Sequence, residues 1–264
     1  MKIVIFECRR AFREKSFRIS LLLSSMLVLT DLHLFWSEFG TSPNKVVIQA
    51  WIGTDYMYAC NSLFYVLLPV FACLPYAGSY FADCKSGYDK NICVRVSRME
   101  YFWGKVSSVF LTGFCAVAFP LILNLFLVAG LFPNHSVEKL EFLAAAIKDS
   151  HLFSLLFYQK PHLYALIFIL IDGLIGGLMG LISLSVTKAC STLFSAVMIP
   201  FLIYIVTGVL FQSSTESGHL SLMEMANPMQ SYVTTAQKLI GTYLVVLLVT
   251  MCTTYIQAKG RDIL

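Results

Sequence analysis

Polar and apolar positions fall along this chain in long neutral runs separated by short charged ones. Residues 56–82, 106–137, 189–215 and 239–258 contain no Asp, Glu, Lys or Arg, and residues 161–187 contain only Asp172. Each run supplies the roughly 20 residues that a helix needs to cross an apolar layer about 30 Å thick. A further apolar element extends from about Phe17 to Trp36, with Asp31 and His33 near its end. The pattern predicts an all-α polytopic membrane protein, a single transmembrane domain over 1–264. Its six crossings are expected at about 18–37, 57–82, 102–131, 162–187, 190–212 and 238–258.

Before the first crossing, Ile5, Phe12 and Ile19 recur seven apart, while Arg9, Arg10 and Arg13 lie mostly elsewhere around the helix. An amphipathic helix in the headgroup layer would bury the aromatics and set the arginines against anionic lipid. A plain basic flank that fixes topology is the other reading. A cleavable signal peptide fits poorly, because the approach "KIVIFECRRAFREKSFRI" is long and contains acids, and no small-x-small site follows cleanly.

Composition agrees with the pattern. Hydrophobic residues make up 58% and charged residues 13%, with mean hydropathy +0.74, whereas soluble domains carry about a quarter charged residues. Buried helices of a soluble protein would need a far longer domain. With both termini in the cytoplasm, the inner segments collect fourteen of the nineteen Lys and Arg, and the outer segments keep Lys45, Lys139, Lys148, Lys160 and Lys238. That asymmetry orients the chain in the plasma membrane. Cys8, Cys84, Cys93 and Cys190 fall on or near the inner side, and Cys60, Cys73, Cys115 and Cys252 lie in or beside apolar stretches, so no disulfide framework or zinc spacing is legible.

Little in the sequence asks for chemistry on a bound substrate. GxxxxGK[ST], HExxH and GxSxG are absent, and the histidines are scattered, so the chain is expected to be neither an enzyme nor a metalloprotein. No nucleic-acid partner is expected. Pro69, Pro75, Pro120 and Pro200 fall within crossings, where each frees a carbonyl one turn earlier and bends the helix. Gly173, Gly176, Gly177 and Gly180 line one face of the fourth crossing and permit close helix packing within the bundle, or less readily against a second copy. Asp31 and Asp172 lie about six and eight residues in from their outer ends. An acid at such depth is a functional candidate, here for proton coupling, unless a wide vestibule wets it.

The outer side carries a short loop over residues 38–55, a helical stripe at Val137, Leu140, Leu143, Ala144 and Ile147, and an Asn134-His135-Ser136 match to the glycosylation pattern. A short amphipathic or re-entrant element is expected in "HLSLMEMANPMQSYVTTAQ". On the inner side Gly87 can end one helix, and "YDKNICVRVSRMEYFWGK" can form another that enters the third crossing. Ile92, Val96, Met99 and Trp103 give it one apolar face, and Lys90, Arg95, Arg98 and Glu100 give it a charged one.

This basic loop, with Gly87, Arg95, Ser97, Tyr101 and Lys105 before a crossing, and the closing "AKGRDIL" resemble the permease subunits of ABC-2 type ATP-binding-cassette exporters, especially small ones of Gram-positive bacteria. The resemblance implies a coupling helix between the second and third crossings that docks on a separate cytoplasmic ATPase. Its docking residues would be Tyr88, Asp89, Lys90, Arg95, Arg98, Glu100 and Tyr101. ATP and Mg2+ would then reside on the partner, with no cofactor in this chain, and a second permease copy or related chain would complete the pathway. A peptide, lipid or hydrophobic compound, antimicrobial peptides included, is the implied cargo. A proton-linked carrier and an accessory or immunity membrane protein are the alternatives.

Overall fold

A computed structural model describes residues 2–40, 47–54, 59–76, 78–132, 152–187, 190, 192–212, 221–229 and 235–259. Twelve helices lie among them: α1 (Lys2–Arg13), α2 (Lys15–Phe39), α3 (Val47–Ala50), α4 (Ala59–Cys73), α5 (Ser79–Ser86), α6 (Tyr88–Cys93), α7 (Arg98–Leu131), α8 (Ser154–Gln159), α9 (Pro161–Val186), α10 (Leu193–Gln212), α11 (Leu222–Ala226) and α12 (Ala236–Lys259). The protein is an all-α, multi-spanning membrane protein. Helices α2, α7, α9, α10 and α12 are each long and apolar enough to cross a bilayer. The expected stripe at 137–147 and the Asn134 pattern lie outside the described residues.

The second expected crossing differs. Instead of running over 57–82, α4 ends at Cys73 after 15 residues, about 22 Å at 1.5 Å per residue, short of an apolar layer of about 30 Å. Pro75 accounts for the stop: it has no N–H to give the carbonyl of Phe71, and it drives Leu74 away from helical angles. The chain turns and restarts as α5, which Gly87 closes in the left-handed conformation at φ 71°.

Three carbonyls freed by proline receive a serine hydroxyl from a neighbouring helix. Ser20 on α2 donates to Phe71, four before Pro75, at 2.7 Å. Ser183 on α9 donates to Ala196, four before Pro200, at 2.5 Å. Ser24 on α2 reaches Ala116, four before Pro120, at 3.4 Å, while also bonding the carbonyl of Ser20 at 2.9 Å. Carbonyls four residues before Pro75, Pro120 and Pro200 are thus met by side chains of α2 and α9, because lipid offers no water to do the same.

Helix α9 forms the centre of the bundle, and its glycine face lies on α7. A Cβ at Gly173 or Gly177 would come within 2.7 and 2.6 Å of the rings of Phe114 and Phe110, and one at Gly176 within 2.8 Å of Val117. At Gly180 the nearest atom, of Val109, would be 3.1 Å away. The small residues serve the approach of two helices of the same chain.

The stretch expected as an outer loop over 38–55 folds inward in its second half. Val47, Ile48, Ala50, Trp51 and Ile52 are all buried. Their apolar run "VVIQAWI" explains the burial, and two asparagines from the crossings take up the backbone. Asn124 accepts from the N–H of Ile52 at 3.0 Å, and Asn61 donates to its carbonyl. A second inward element, α11, is capped by Ser221, whose hydroxyl accepts from Glu224 N, and it buries Met225 and Ala226 against the bundle.

The helix expected over 88–105 is two helices. α6 ends at Cys93, and Ser97 starts α7 afresh, its hydroxyl accepting from Glu100 N at 3.3 Å and donating to the Glu100 carboxylate at 3.1 Å. Ser-Arg-Met-Glu has the serine-to-glutamate spacing of a capping box, so a helix start wins over continuation.

Candidate functional site

At the basic end of the bundle four charged groups meet in a buried cluster. Lys105 on α7 is 1% exposed. Its ammonium lies 2.6 Å from Asp83 Oδ2 on α5 and 3.0 Å from Glu7 Oε2 on α1. It also donates to Tyr76 Oη at 3.1 Å and to Ser79 Oγ at 3.2 Å. Arg10 on α1 grips both oxygens of Asp83, at 2.6 and 3.1 Å, the two-pronged geometry that suits guanidinium and carboxylate. Tyr101 donates to Asp83 at 2.8 Å and Tyr76 to Glu7 at 2.8 Å. Two cations and two anions balance, so the cluster is neutral as a whole.

Sequence spacing puts these groups together. Glu7 and Ala11, four apart on α1, face inward, and the Glu7 side chain packs beside Gly104 of α7, where an added Cβ would make an ordinary contact with Glu7 Cγ at 3.4 Å. Lys105 follows directly. The Arg10 guanidinium also stacks 4.5 Å above the ring of Tyr88, which brings α6 into the assembly. Burial works to raise the Asp83 carboxyl, but the Arg10 hydrogen bond, the Lys105 charge and hydrogen bond, and the Tyr101 hydroxyl outweigh it and hold Asp83 below the usual carboxylate range.

The residues expected to dock a partner surround this cluster without all sharing one surface. Arg95, Arg98 and Glu100 are exposed, as is Val94 at 87%. Tyr88 and Asp89 are half-buried. Tyr101 is buried against Asp83 and anchors the loop from inside. The side chain of Lys90 lies outside the described residues. The outward face of α1 carries exposed Ile5, Phe6 and Phe12 beside exposed Arg9 and Arg13.

Deeper in the bundle the two acids are fully buried, Asp31 on the inner face of α2 and Asp172 on α9, so neither is wetted by an open vestibule here. Tyr65 on α4 donates to Asp172 Oδ2 at 3.4 Å. Tyr164 and Tyr204 are also buried within electrostatic range of Asp172. Beside Tyr204 a mostly apolar groove of about 520 Å³ opens between α9, α10 and α12, with Met179, Ile203, Thr207, Thr242 and Val245 among its walls.

Pattern reading missed Glu7, Tyr76 and Asp83 as partners of Lys105, Arg10 as a partner of Asp83, and the tyrosines around Asp172. Glu7 gave a signal, as an acid on the apolar side of an amphipathic helix, and Asp83 another, as the acid that ends a long neutral run. No family model, curated protein or solved structure matches this chain.

Proposed function

We propose that the chain is the membrane-embedded permease subunit of an ATP-driven exporter, worked by a separate cytoplasmic ATPase that docks on the α5–α6–α7 elbow. The observation that carries this reading is the buried cluster of Glu7, Arg10, Asp83 and Lys105 beneath the exposed Arg95, Arg98 and Glu100. A loop serving only as a tether has no need of a packed ionic core. A force applied at Arg95 and Arg98 would pass through α7 and α1 to the bundle instead of dissipating in the loop.

The cargo proposed is a peptide, lipid or hydrophobic compound, because the groove beside α12 is almost wholly apolar. The apolar faces of α10 and α12 that remain exposed, Val209, Leu210, Val245 and Leu248 among them, are open to lipid and to a second permease chain. ATP and Mg2+ belong to the partner in this scheme, and this chain makes or breaks no bond. The burial of Asp31 and Asp172 favours a second reading, a proton-linked carrier, in which transport survives without an ATPase and is lost when either acid is neutralised.

Affinity purification from native membranes tests the first reading. A nucleotide-hydrolysing subunit should co-purify with the wild-type chain, and the double reversal Arg95→Glu with Arg98→Glu should release it while leaving membrane insertion intact. Transport that continues at the wild-type rate in membranes containing no such subunit would sink the proposal.

A further inference from the structure

Asp172 lies 11 residues beyond the start of α9, about 16 Å along the helix axis, and is 0% exposed. Tyrosines of several elements lie within electrostatic range of it. Tyr65 comes from α4, Tyr204 from α10 and Tyr164 from α9 itself, with Glu224 of α11 within electrostatic range of Tyr204. Tyr243 of α12 turns its hydroxyl to the carbonyl of Leu174, and α7 presents Gly113, Phe114 and Val117 to this part of α9. The sequences of α4 and α10 contain no charged residue, and α9 contains only Asp172. The basic residues of α7 sit within its first eight positions, at Arg98 and Lys105, and those of α12 at Lys238 and Lys259, near its ends, Lys238 lining the groove that Tyr204 also borders.

Among the described residues, Asp172 Oδ1 and the Tyr204 hydroxyl have no hydrogen-bond partner. Tyr164 spends its own hydroxyl on the carbonyl of Pro228 at 3.2 Å. The hydrogen bond that Asp172 receives from Tyr65 is long at 3.4 Å. Tyrosines can solvate a carboxylate but cannot neutralise it, and an uncompensated charge at this depth is strongly unfavourable. The site thus favours a bound positive charge.

We propose that Asp172, Tyr65 and Tyr204 form a binding site for one small monovalent cation, a proton or a sodium ion. A proton, taken from water, would bond to a carboxylate oxygen and leave a neutral acid able to donate to a tyrosine oxygen. Sodium would leave the carboxylate ionised and be held by its oxygens together with the tyrosine hydroxyls. The claim concerns binding, and it stands whether movement is driven by ATP or not.

The test uses the full chain in nanodiscs of neutral lipid, with unfolding followed against pH in choline salt and, at fixed pH, against sodium exchanged for choline at constant ionic strength. In the saturating range a tenfold rise in the free concentration of the cation that binds raises the folding constant about tenfold. The wild type is expected to show that dependence on one cation, pH alone identifying the proton and sodium at fixed pH identifying the metal ion. Asp172→Asn should lose it, while the pH response of other groups, Asp83 included, is common to both proteins and cancels in their difference. Identical responses of wild type and Asp172→Asn to both cations would overturn the proposal. Should Asp172→Asn fail to fold, Tyr65→Phe and Tyr204→Phe carry the same test: at least one must shift the cation dependence, and no shift in either overturns it.

Discussion

Lys105 is the residue on which the basic end depends, because it is buried and lies within 3.0 Å of both acids, whereas Arg10 reaches Glu7 only at 3.7 Å. Lys105→Met would leave Glu7 and Asp83 buried with one guanidinium between them, and removing one partner of a buried pair costs about 3–5 kcal/mol. Arg10→Met should cost less, since the Arg10 side chain is 28% exposed and water can take over part of its role. Unfolding of the two variants in detergent would show whether that order holds. Asp83 also sets an acid limit. Its folded value lies below the unfolded one of about 3.9, so its contribution is complete above that pH and is lost as pH falls through the depressed folded value. Melting curves of the wild type should drop below about pH 4, and those of Asp83→Asn should lack that part of the drop. Pattern alone marked Lys105 as one more inner-side charge. Its burial depended on Gly104, Glu7 and Asp83 meeting from three helices, and no local period records such a meeting.

Among elements, the tied prolines and the glycine face make separable demands. Ser20→Ala removes the donor for the Phe71 carbonyl, and hydrogen bonds inside membrane proteins average about 0.6 kcal/mol. In a Pro75→Ala background the backbone N–H of residue 75 can serve that carbonyl, so the cost of Ser20→Ala should shrink there; equal costs in both backgrounds would show that the two are not coupled. On α9, Gly176→Ala forces a Cβ to within 2.8 Å of Val117 and 2.9 Å of the Gly113 carbonyl, overpacking that costs about 1–3 kcal/mol. Gly241→Ala on α12, with nothing within 4 Å, should be neutral or slightly stabilising. Thermal midpoints of the two variants decide the comparison. The long helices were legible because hydropathy over about 20 residues reports lipid exposure directly. The end of α4 and the start of α7 were decided by Pro75 and by Ser97 with Glu100, single residues that a run of apolar letters hides. The inward turn at 47–54 was hidden too, because its polar partners Asn61 and Asn124 lie in other helices.

At the scale of the whole molecule the remaining question is which way the bundle faces, and charge answers it by counting. Lys and Arg gather at the end where α1, α5, α6 and the start of α7 meet, yet the structure changes what that count means. Lys105 and Arg10 are paired within the cluster, so the exposed basic residues at that end are Arg9, Arg13, Lys15, Arg18, Lys85, Arg95 and Arg98. If that end is cytoplasmic, Val94, 87% exposed beside those arginines, and Leu155, 67% exposed on α8 near the start of α9, lie on opposite sides of the membrane. With the eight native cysteines replaced by serine, Val94→Cys should escape an impermeant thiol reagent in intact cells and react once the membrane is permeabilised. Leu155→Cys should react in both states. The reverse pattern would put the elbow outside, where no ATPase could reach it. It would also require the excess of exposed arginine to have been carried across the bilayer against the bias that normally keeps Lys and Arg in, so two independent arguments, one about translocation and one about coupling, fail or stand on the same labelling result.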